Sequence, residues 1–449
     1  MRDSVIFAVV AVLLIATFRY PVVGAYTWAW LSLMNPHKLT YGLAFDFPFA
    51  QVCALVTILA LLFSGKRQSI PINSLTVVYL LLLLWITVTS FFAIASPADV
   101  FSRWVFVMKI QFMMFVTIML ITGPKQLRTL IWVVTFSVAF YGIKGGIFTV
   151  LTGGSQRVWG PPGGMIEENN ALAVCLVMLV PMLYFLWQTE VRRWVRYVLV
   201  FCIVAITFSI LGSQSRGALL ALSAMAFFLG LKGKHPVRTS LILALLMVTA
   251  ISFMPDTWTS RMETMESYTT DDSAMSRIWS WHTMWNAAVD RPLVGAGLQA
   301  DNPTVFARYA PQGGEFAVFA GRVYVAHSIY LQMLGEQGFV GLGLFLLLGL
   351  LTWRMAGRLA RRTKDDAEFG GWMPLLMRMV QVSLIGYGVG GAFLSLAYFD
   401  VPYYFVAFVV LCDAMVRARL RSVAAADAGA SRKLGDGPLI GTPHSSVAK

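Results

Sequence analysis

Long apolar runs recur along this chain and constrain its fold more than any other feature of the sequence. Runs of about 18 residues or more match the length that a helix needs to cross the hydrocarbon core of a bilayer. Backbone polar groups must be paired inside the membrane, and such runs are too long for the strands of a transmembrane barrel. With 58% hydrophobic and 13% charged residues, the sequence predicts an all-α, polytopic integral membrane protein.

The basic residues predict which loops face the cytoplasm. The net charge of +13 is concentrated in alternate short loops, for example Lys66–Arg67, Arg192–Arg196 and Arg354–Lys364. This alternation is the positive-inside pattern of membrane proteins. The surplus charge therefore reflects topology and attraction to anionic membrane lipids, and it does not indicate nucleic-acid binding.

Taking these loops as cytoplasmic anchors, we predict spans at 47–64, 74–95, 101–121, 126–150, 168–187, 193–211, 215–231, 237–254, 327–353, 373–396 and 402–417. Two short apolar pieces, 4–18 and 21–34, precede them. One crossing by these pieces gives twelve spans, and two crossings give thirteen with the N-terminus outside. We favour a helical bundle of about 12 transmembrane helices, because Met1-Arg2 is then cytoplasmic.

This topology divides the chain into five parts. They are N-terminal transmembrane helices (1–150), transmembrane helices with a Ser-Gln-Ser-Arg-Gly motif (151–254), a large loop on the outer face that contains amphipathic helices (255–326), C-terminal transmembrane helices (327–417) and a disordered cytoplasmic tail (418–449). The tail is rich in Ala, Gly, Ser and Lys and lacks the apolar content that a packed core requires.

Arginines are unexpectedly frequent on the predicted outer face. Arg216 is the most informative, because it lies between two apolar runs at a depth where a cation needs a partner or a ligand. Guanidinium groups bind phosphate oxygens bidentately, which suits a lipid-linked phosphate or pyrophosphate. Alternatively, Arg216 extends to the interface and pairs with a loop carboxylate such as Glu263 or Glu266.

His327 stands where the large outer loop re-enters an apolar segment. Imidazole has an ordinary pKa of about 6.5, so its neutral form is suited to proton transfer near neutral pH. Packing or capping is the alternative role. The five histidines show no metal-ligand spacing, and the four cysteines lie inside apolar runs, so the sequence predicts no metal site and no disulfide framework.

The large loop contains a predicted amphipathic helix. Ile278, Trp281, Trp285 and Val289 recur at helical spacing, and the sequence Arg291–Gly297 ends the helix in a tight turn. We expect this helix to lie on the membrane surface, with Trp279, Trp281 and Trp285 at the level of the headgroups.

Three motifs resemble the shared core of the bacterial O-antigen ligase and O-antigen polymerase superfamily. They are Ser213–Leu220, the block Ser276–Gly297 and His327–Gly341, which follow the family's order and lie within roughly residues 150–355. The stretch Arg19–His37 is similar to the exosortase-associated O-glycosylation ligase branch, which favours a ligase. The sequence departs from the commoner His-Asn pair by having Ser328 after the histidine.

The resemblance implies a metal-independent, cofactor-free glycosyltransferase in the bacterial inner membrane, with its active site facing the periplasm. The donor would be a glycan on undecaprenyl pyrophosphate, and the acceptor a sugar hydroxyl of the lipid A core oligosaccharide. The implied catalytic residues are His327, Arg216 and Arg277. Chemically, the histidine would accept the hydroxyl proton and the arginines would stabilise the leaving pyrophosphate in one inverting displacement.

Further residues are candidates for pyrophosphate or glycan binding, and each has a structural alternative. Arg157 is otherwise a solvated loop charge, and Asn170, with its neighbour Asn169, is otherwise a helix cap. Asp400 could orient His327, bind the acceptor or pair with an arginine. Glu336 is expected to make a structural bond within the bundle. The candidates near the ends of spans are Arg157, Gln214, Ser215, Asn170 and Asp400.

Two other functions remain open from the sequence. An O-antigen polymerase or a protein O-oligosaccharyltransferase would use the same donor and differ in its acceptor. A transporter of lipid-linked glycans belongs to another class, and it would be favoured by an internal repeat of broken hydrophobic segments. We see no such repeat, and the large one-sided loop favours an external catalytic face.

Overall fold

The computed structural model of the protein describes residues 2–64, 69–232, 236–252, 254–255 and 272–435. The regular structure in these ranges is helical, which confirms the predicted all-α fold. The α-helices are α1 (Arg2–Arg19), α2 (Pro21–Met34), α3 (Phe49–Phe63), α4 (Ser74–Ser90), α5 (Pro97–Leu120), α6 (Pro124–Leu151), α7 (Asn169–Thr189), α8 (Arg193–Gly212), α9 (Arg216–Lys232), α10 (Pro236–Ser252), α11 (Asp272–Asp290), α12 (Pro303–Tyr309), α13 (Ile329–Arg362), α14 (Met373–Gly391) and α15 (Asp400–Gly435).

The predicted membrane spans coincide with helices. Among the described helices, six are both long enough and apolar enough to cross a membrane: α5, α6, α7, α8, α13 and α15. The two apolar pieces at the N-terminus are separate helices that meet at Tyr20, since Pro21 has no amide hydrogen to donate and restricts the residue before it. The total of about twelve crossings and their orientation remain predictions.

Helix α7 is the centre of the bundle. It packs against α6, α8, α9 and α14, and 89% of its most apolar window is buried. Composition alone does not explain this position, because lipid can also cover an apolar helix, and the equally apolar α8 is only 56% buried. The Ser383 hydroxyl of α14 donates to the Met178 carbonyl of α7 at 2.7 Å. All four cysteines are buried and unpaired, as predicted.

Helix α11 and the chain that follows it as far as residue 326 form a small helical unit with its own core, which we call the loop unit (residues 272–326). Trp279 is its centre, only 1% exposed, and its ring nitrogen donates to the Pro311 carbonyl at 3.1 Å. The predicted helix and its end at Asp290 are confirmed. The expectation that Trp279 lies at the membrane surface is wrong, because it packs against Phe306 and Phe319.

Residues 256–271 of the predicted outer loop lie outside the described residues, and these include Glu263 and Glu266, the carboxylates considered as partners of Arg216. At the other end of the chain, α15 continues through Gly435, which differs from the disordered tail expected from residue 418. The run from Ala424 to Ala430 is rich in alanine, the strongest helix former, which explains the extension. Residues 436–449 lie outside the described ranges.

A glycine kink in α13 joins the loop unit to the bundle. Gly338 has a φ of 68° inside the helix. This break allows the Phe339 amide to donate to the Pro292 carbonyl at 2.9 Å, while the Ala296 amide donates to the Gly335 carbonyl at 2.7 Å. A side chain at position 338 would come within 2.6 Å of the Pro292 oxygen.

We predict that Gly338→Ala lowers the stability of the purified protein by about 1–3 kcal/mol, because alanine disfavours this φ and meets the backbone of the 291–297 turn. The measurement is the thermal midpoint in detergent. Gly343→Ala is the matched control in the same helix, since a side chain there meets nothing within 4 Å. Equal midpoints for the two variants would contradict the role of the kink.

Candidate functional site

His327 immediately precedes the cap of helix α13 and has an unusual backbone conformation. Its φ is 45°, in the left-handed region that residues other than glycine seldom occupy. Its amide donates to the Ser395 hydroxyl at 2.8 Å. The next residue, Ser328, caps α13 by accepting a hydrogen bond from the Leu331 amide at 3.4 Å. These contacts fix where the imidazole stands relative to the helix.

Helix α11 holds the extended segment that leads to His327. The Ser280 hydroxyl donates to the Val325 carbonyl at 3.2 Å, and the Trp281 ring nitrogen donates to the Ala326 carbonyl at 2.7 Å. Arg277 lies one helical turn before Trp281, so both residues share one face of α11. The helix therefore places an arginine on the side of His327 from which the segment is held.

The environment of His327 keeps its imidazole neutral. Burial of the ring, followed by the positive charge of Arg277, lowers the pKa of His327 to about 4. At neutral pH the side chain is therefore uncharged and can accept a proton. Arg277 therefore acts electrostatically on His327, which the sequence motifs alone could not establish.

Arg216 is the first residue of helix α9, directly after the Ser213–Ser215 turn. The Ser215 hydroxyl caps the helix by accepting from the Ala218 amide at 3.2 Å. Helix N-termini carry a partial positive charge, so the arginine and the helix end favour an anion together. Ser215, expected as a binding residue, thus has a capping role in this structure.

Helix α9 begins close to residues 392–399, the connection between α14 and α15, which holds His327 through Ser395. A side chain at Gly217 would meet the Phe393 side chain at 3.1 Å, and Phe393 lies two residues before Ser395. The third motif and the first are therefore joined through residues 393–395. Arg216, Arg277 and His327, which are far apart in sequence, belong to elements that converge at this connection.

The glycine- and proline-rich segment 152–168 packs on the turn before α9. The Arg157 side chain donates to the Gln214 amide oxygen at 3.3 Å, and the Gln214 amide donates to the Gly154 carbonyl at 3.3 Å. Asn169 donates to the Ser213 carbonyl at 2.7 Å rather than capping α7. Asn170 is half-buried in the first turn of α7. Arg157 therefore lies beside Gln214, which is two residues before Arg216.

His327 lines a cavity of about 450 Å³ between the 159–171 segment and the 394–396 connection. Its walls include two carboxylates and one tryptophan. The lining residues are Trp159, Gly164, Met165, Glu167, Glu168, Ala171, Val325, His327, Leu394, Ser395 and Leu396. A molecule in this cavity would contact the candidate base directly.

The structure places Asp400 away from this cavity. It is only 4% exposed at the start of α15, and its carboxylate accepts a hydrogen bond from the Ser32 hydroxyl of α2. This position differs from the expected roles in orienting His327 or binding substrate. Ser395 holds the His327 amide instead. Ser395 could not be predicted from the sequence, because an isolated serine in an apolar connection belongs to no motif.

A second polar cluster lies behind the connection. The Tyr398 hydroxyl donates to the Glu336 carboxylate at 2.6 Å, which confirms the predicted structural bond of Glu336. Gln332 accepts from the Ala397 amide at 3.2 Å. These bonds attach residues 396–398 to α13. They help to position Ser395, which bonds His327.

Family models match two stretches of the chain. The family model described as O-Antigen ligase matches residues 201–346, a range that contains Arg216, Arg277 and His327. A family of unknown function matches residues 1–191. No curated protein matches the chain. Residues 201–346, which carry all three candidate catalytic residues, are therefore similar to the O-antigen ligase family.

Proposed function

We propose that the protein is an O-antigen ligase of the bacterial inner membrane. It would transfer a glycan from undecaprenyl pyrophosphate to a sugar hydroxyl of the lipid A core oligosaccharide on the periplasmic face. The observation that carries the proposal is a neutral His327 beside Arg277, at the end of an apolar helix. A base and a cation at a membrane boundary are what transfer from a lipid pyrophosphate requires.

The proposed reaction is a single displacement at the anomeric carbon of the donor. The acceptor oxygen forms the new bond to this carbon as its proton passes to the His327 imidazole. The bond from the carbon to the pyrophosphate oxygen breaks, and the electron pair leaves with undecaprenyl pyrophosphate. Arg277 and Arg216 stabilise the developing negative charge, so no metal or cofactor takes part. The anomeric configuration is inverted.

The position of the site supports a lipid-linked donor. His327 lies two residues before α13 and Arg216 begins α9, so both side chains stand where apolar helices start. A polyprenyl chain can therefore remain among the helices while its pyrophosphate meets the arginines. A water-soluble sugar nucleotide would have no need of this arrangement.

We predict that His327→Ala reduces ligation at least about 100-fold, because the acceptor hydroxyl loses its base. In cells, the lipid-linked glycan accumulates and the lipopolysaccharide stays unextended, as gel electrophoresis will show. His282→Ala is the matched control, since His282 is exposed on the loop unit. Normal ligation by the His327 variant would refute the proposed base.

The product of the purified protein identifies the acceptor. With undecaprenyl-pyrophosphate glycan and rough lipopolysaccharide, and without nucleotide or metal, we expect capped lipid A core. Elongation of the lipid-linked chain would indicate a polymerase, and a glycosylated protein would indicate an O-oligosaccharyltransferase. Either product without capped core would overturn the ligase assignment.

We predict that the rate declines as the pH falls through about 4, because His327 becomes protonated there and no longer accepts a proton. Above this pH the base is neutral and active. Arg277→Gln removes a charge that lowers the pKa of His327, so the decline moves to higher pH. The measurement is kcat/KM against pH for both proteins. An unchanged acid limb in the variant would contradict the electrostatic coupling.

A further inference from the structure

The cavity beside His327 differs in charge from the arginine side of the site. Its lining contains the carboxylates Glu167 and Glu168, and no arginine or lysine is among the described residues that line it. Like charges repel strongly at short range where water is partly excluded. The cavity is therefore unsuited to a pyrophosphate and suited to an uncharged ligand that donates hydrogen bonds.

Glu167 stabilises the fold of the segment that forms one wall of the cavity. Its carboxylate accepts from the Gly163 amide at 2.8 Å, and its carbonyl accepts from the Gly160 amide at 2.8 Å. A side chain at Gly160 would come within 2.7 Å of the Ile166 carbonyl carbon, so the segment closes tightly there. Glu167 thus folds the segment and sets the position of the residue that follows it.

The Glu168 side chain differs from that of Glu167 in its hydrogen bonding. It is the cap residue of α7, with a φ of −66° and a ψ of 142°, yet its side chain makes no capping hydrogen bond. The residue is exposed and lines the cavity that contains His327. Ser, Thr, Asp and Asn are the usual capping side chains, and the longer glutamate side chain leaves the first amides of α7 without a cap. As a lining residue of the cavity, Glu168 can accept two hydroxyl hydrogen bonds with its carboxylate.

Trp159 supplies an aromatic surface on the same wall. Its side chain is 58% exposed, although it adjoins the tightly folded Gly160 turn. Aromatic faces pack against the C–H groups of sugar rings, and the indole nitrogen donates a hydrogen bond. An aromatic platform, a carboxylate and a nearby base form a typical sugar-binding set.

We propose that the acceptor sugar binds in this cavity, as an uncharged ring whose hydroxyls donate to Glu168 and whose face packs on Trp159. The inference rests on the proposed function. The attacking hydroxyl then meets His327 from the carboxylate side, while the donor pyrophosphate occupies the side of Arg216 and Arg277. Glu168 and Trp159 are acceptor-binding residues.

The test is a two-substrate kinetic analysis of the full-length purified protein. The donor is an undecaprenyl-pyrophosphate glycan, and the acceptor is rough lipopolysaccharide. We expect Glu168→Gln and Trp159→Ala each to raise the KM for acceptor about tenfold, with the KM for donor changed less than twofold. Glu315→Gln, an exposed carboxylate of the loop unit, and Trp194→Ala, 66% exposed at the start of α8, are matched controls with no expected change.

Other outcomes are decisive as well. A raised KM for donor, or a lower kcat with both KM values unchanged, would overturn the assignment of this cavity to the acceptor. Glu168→Asp should recover part of the acceptor affinity, and equal thermal midpoints of all variants exclude misfolding. Free core oligosaccharide should inhibit competitively against acceptor, and less strongly with Glu168→Gln. If the wild-type protein transfers nothing to lipopolysaccharide, the proposed function itself fails.

Discussion

The hydrogen bonds that hold residues 324–327 are the interactions on which the site depends. Side chains of α11 bind the carbonyls of Val325 and Ala326, and the Ser395 hydroxyl accepts from the His327 amide. Because His327 has a positive φ, its side chain keeps its direction only while both sides hold the segment. Burial keeps the imidazole neutral, and the same helix, α11, supplies the arginine that lowers the pKa of His327 further.

A division of charge around His327 gives the proposed chemistry its direction. Arg277 acts on the imidazole from α11, whereas Glu168, at the start of α7, lines the same cavity as His327. In the proposed complex the arginines hold the pyrophosphate and the carboxylate binds the hydroxyls of a neutral sugar. A single displacement requires the acceptor hydroxyl to approach from the side away from the leaving group.

The sequence predicted the helices because apolar runs of membrane length leave the backbone few alternatives. It also singled out Arg216 and His327, since a cation and a histidine at membrane boundaries are chemically conspicuous, and the family resemblance added Arg277. Contacts between distant segments could not be predicted from the sequence, because Ser395 and Glu168 acquire their positions only through packing. Trp279 shows the same limit, because helical spacing cannot tell which tryptophan enters the core of a small unit. Asp400 likewise bonds a serine on a helix far away in sequence.

The anomeric configuration of the product tests the central claim most directly. A direct transfer requires one displacement, with His327 as base and the pyrophosphate leaving on the opposite side. We therefore predict that the new glycosidic bond, examined by NMR on product from a donor of known configuration, is inverted relative to the pyrophosphate linkage. Retention of configuration would require a covalent intermediate or a different mechanism, and it would contradict the assignment of His327 as the base of a direct transfer.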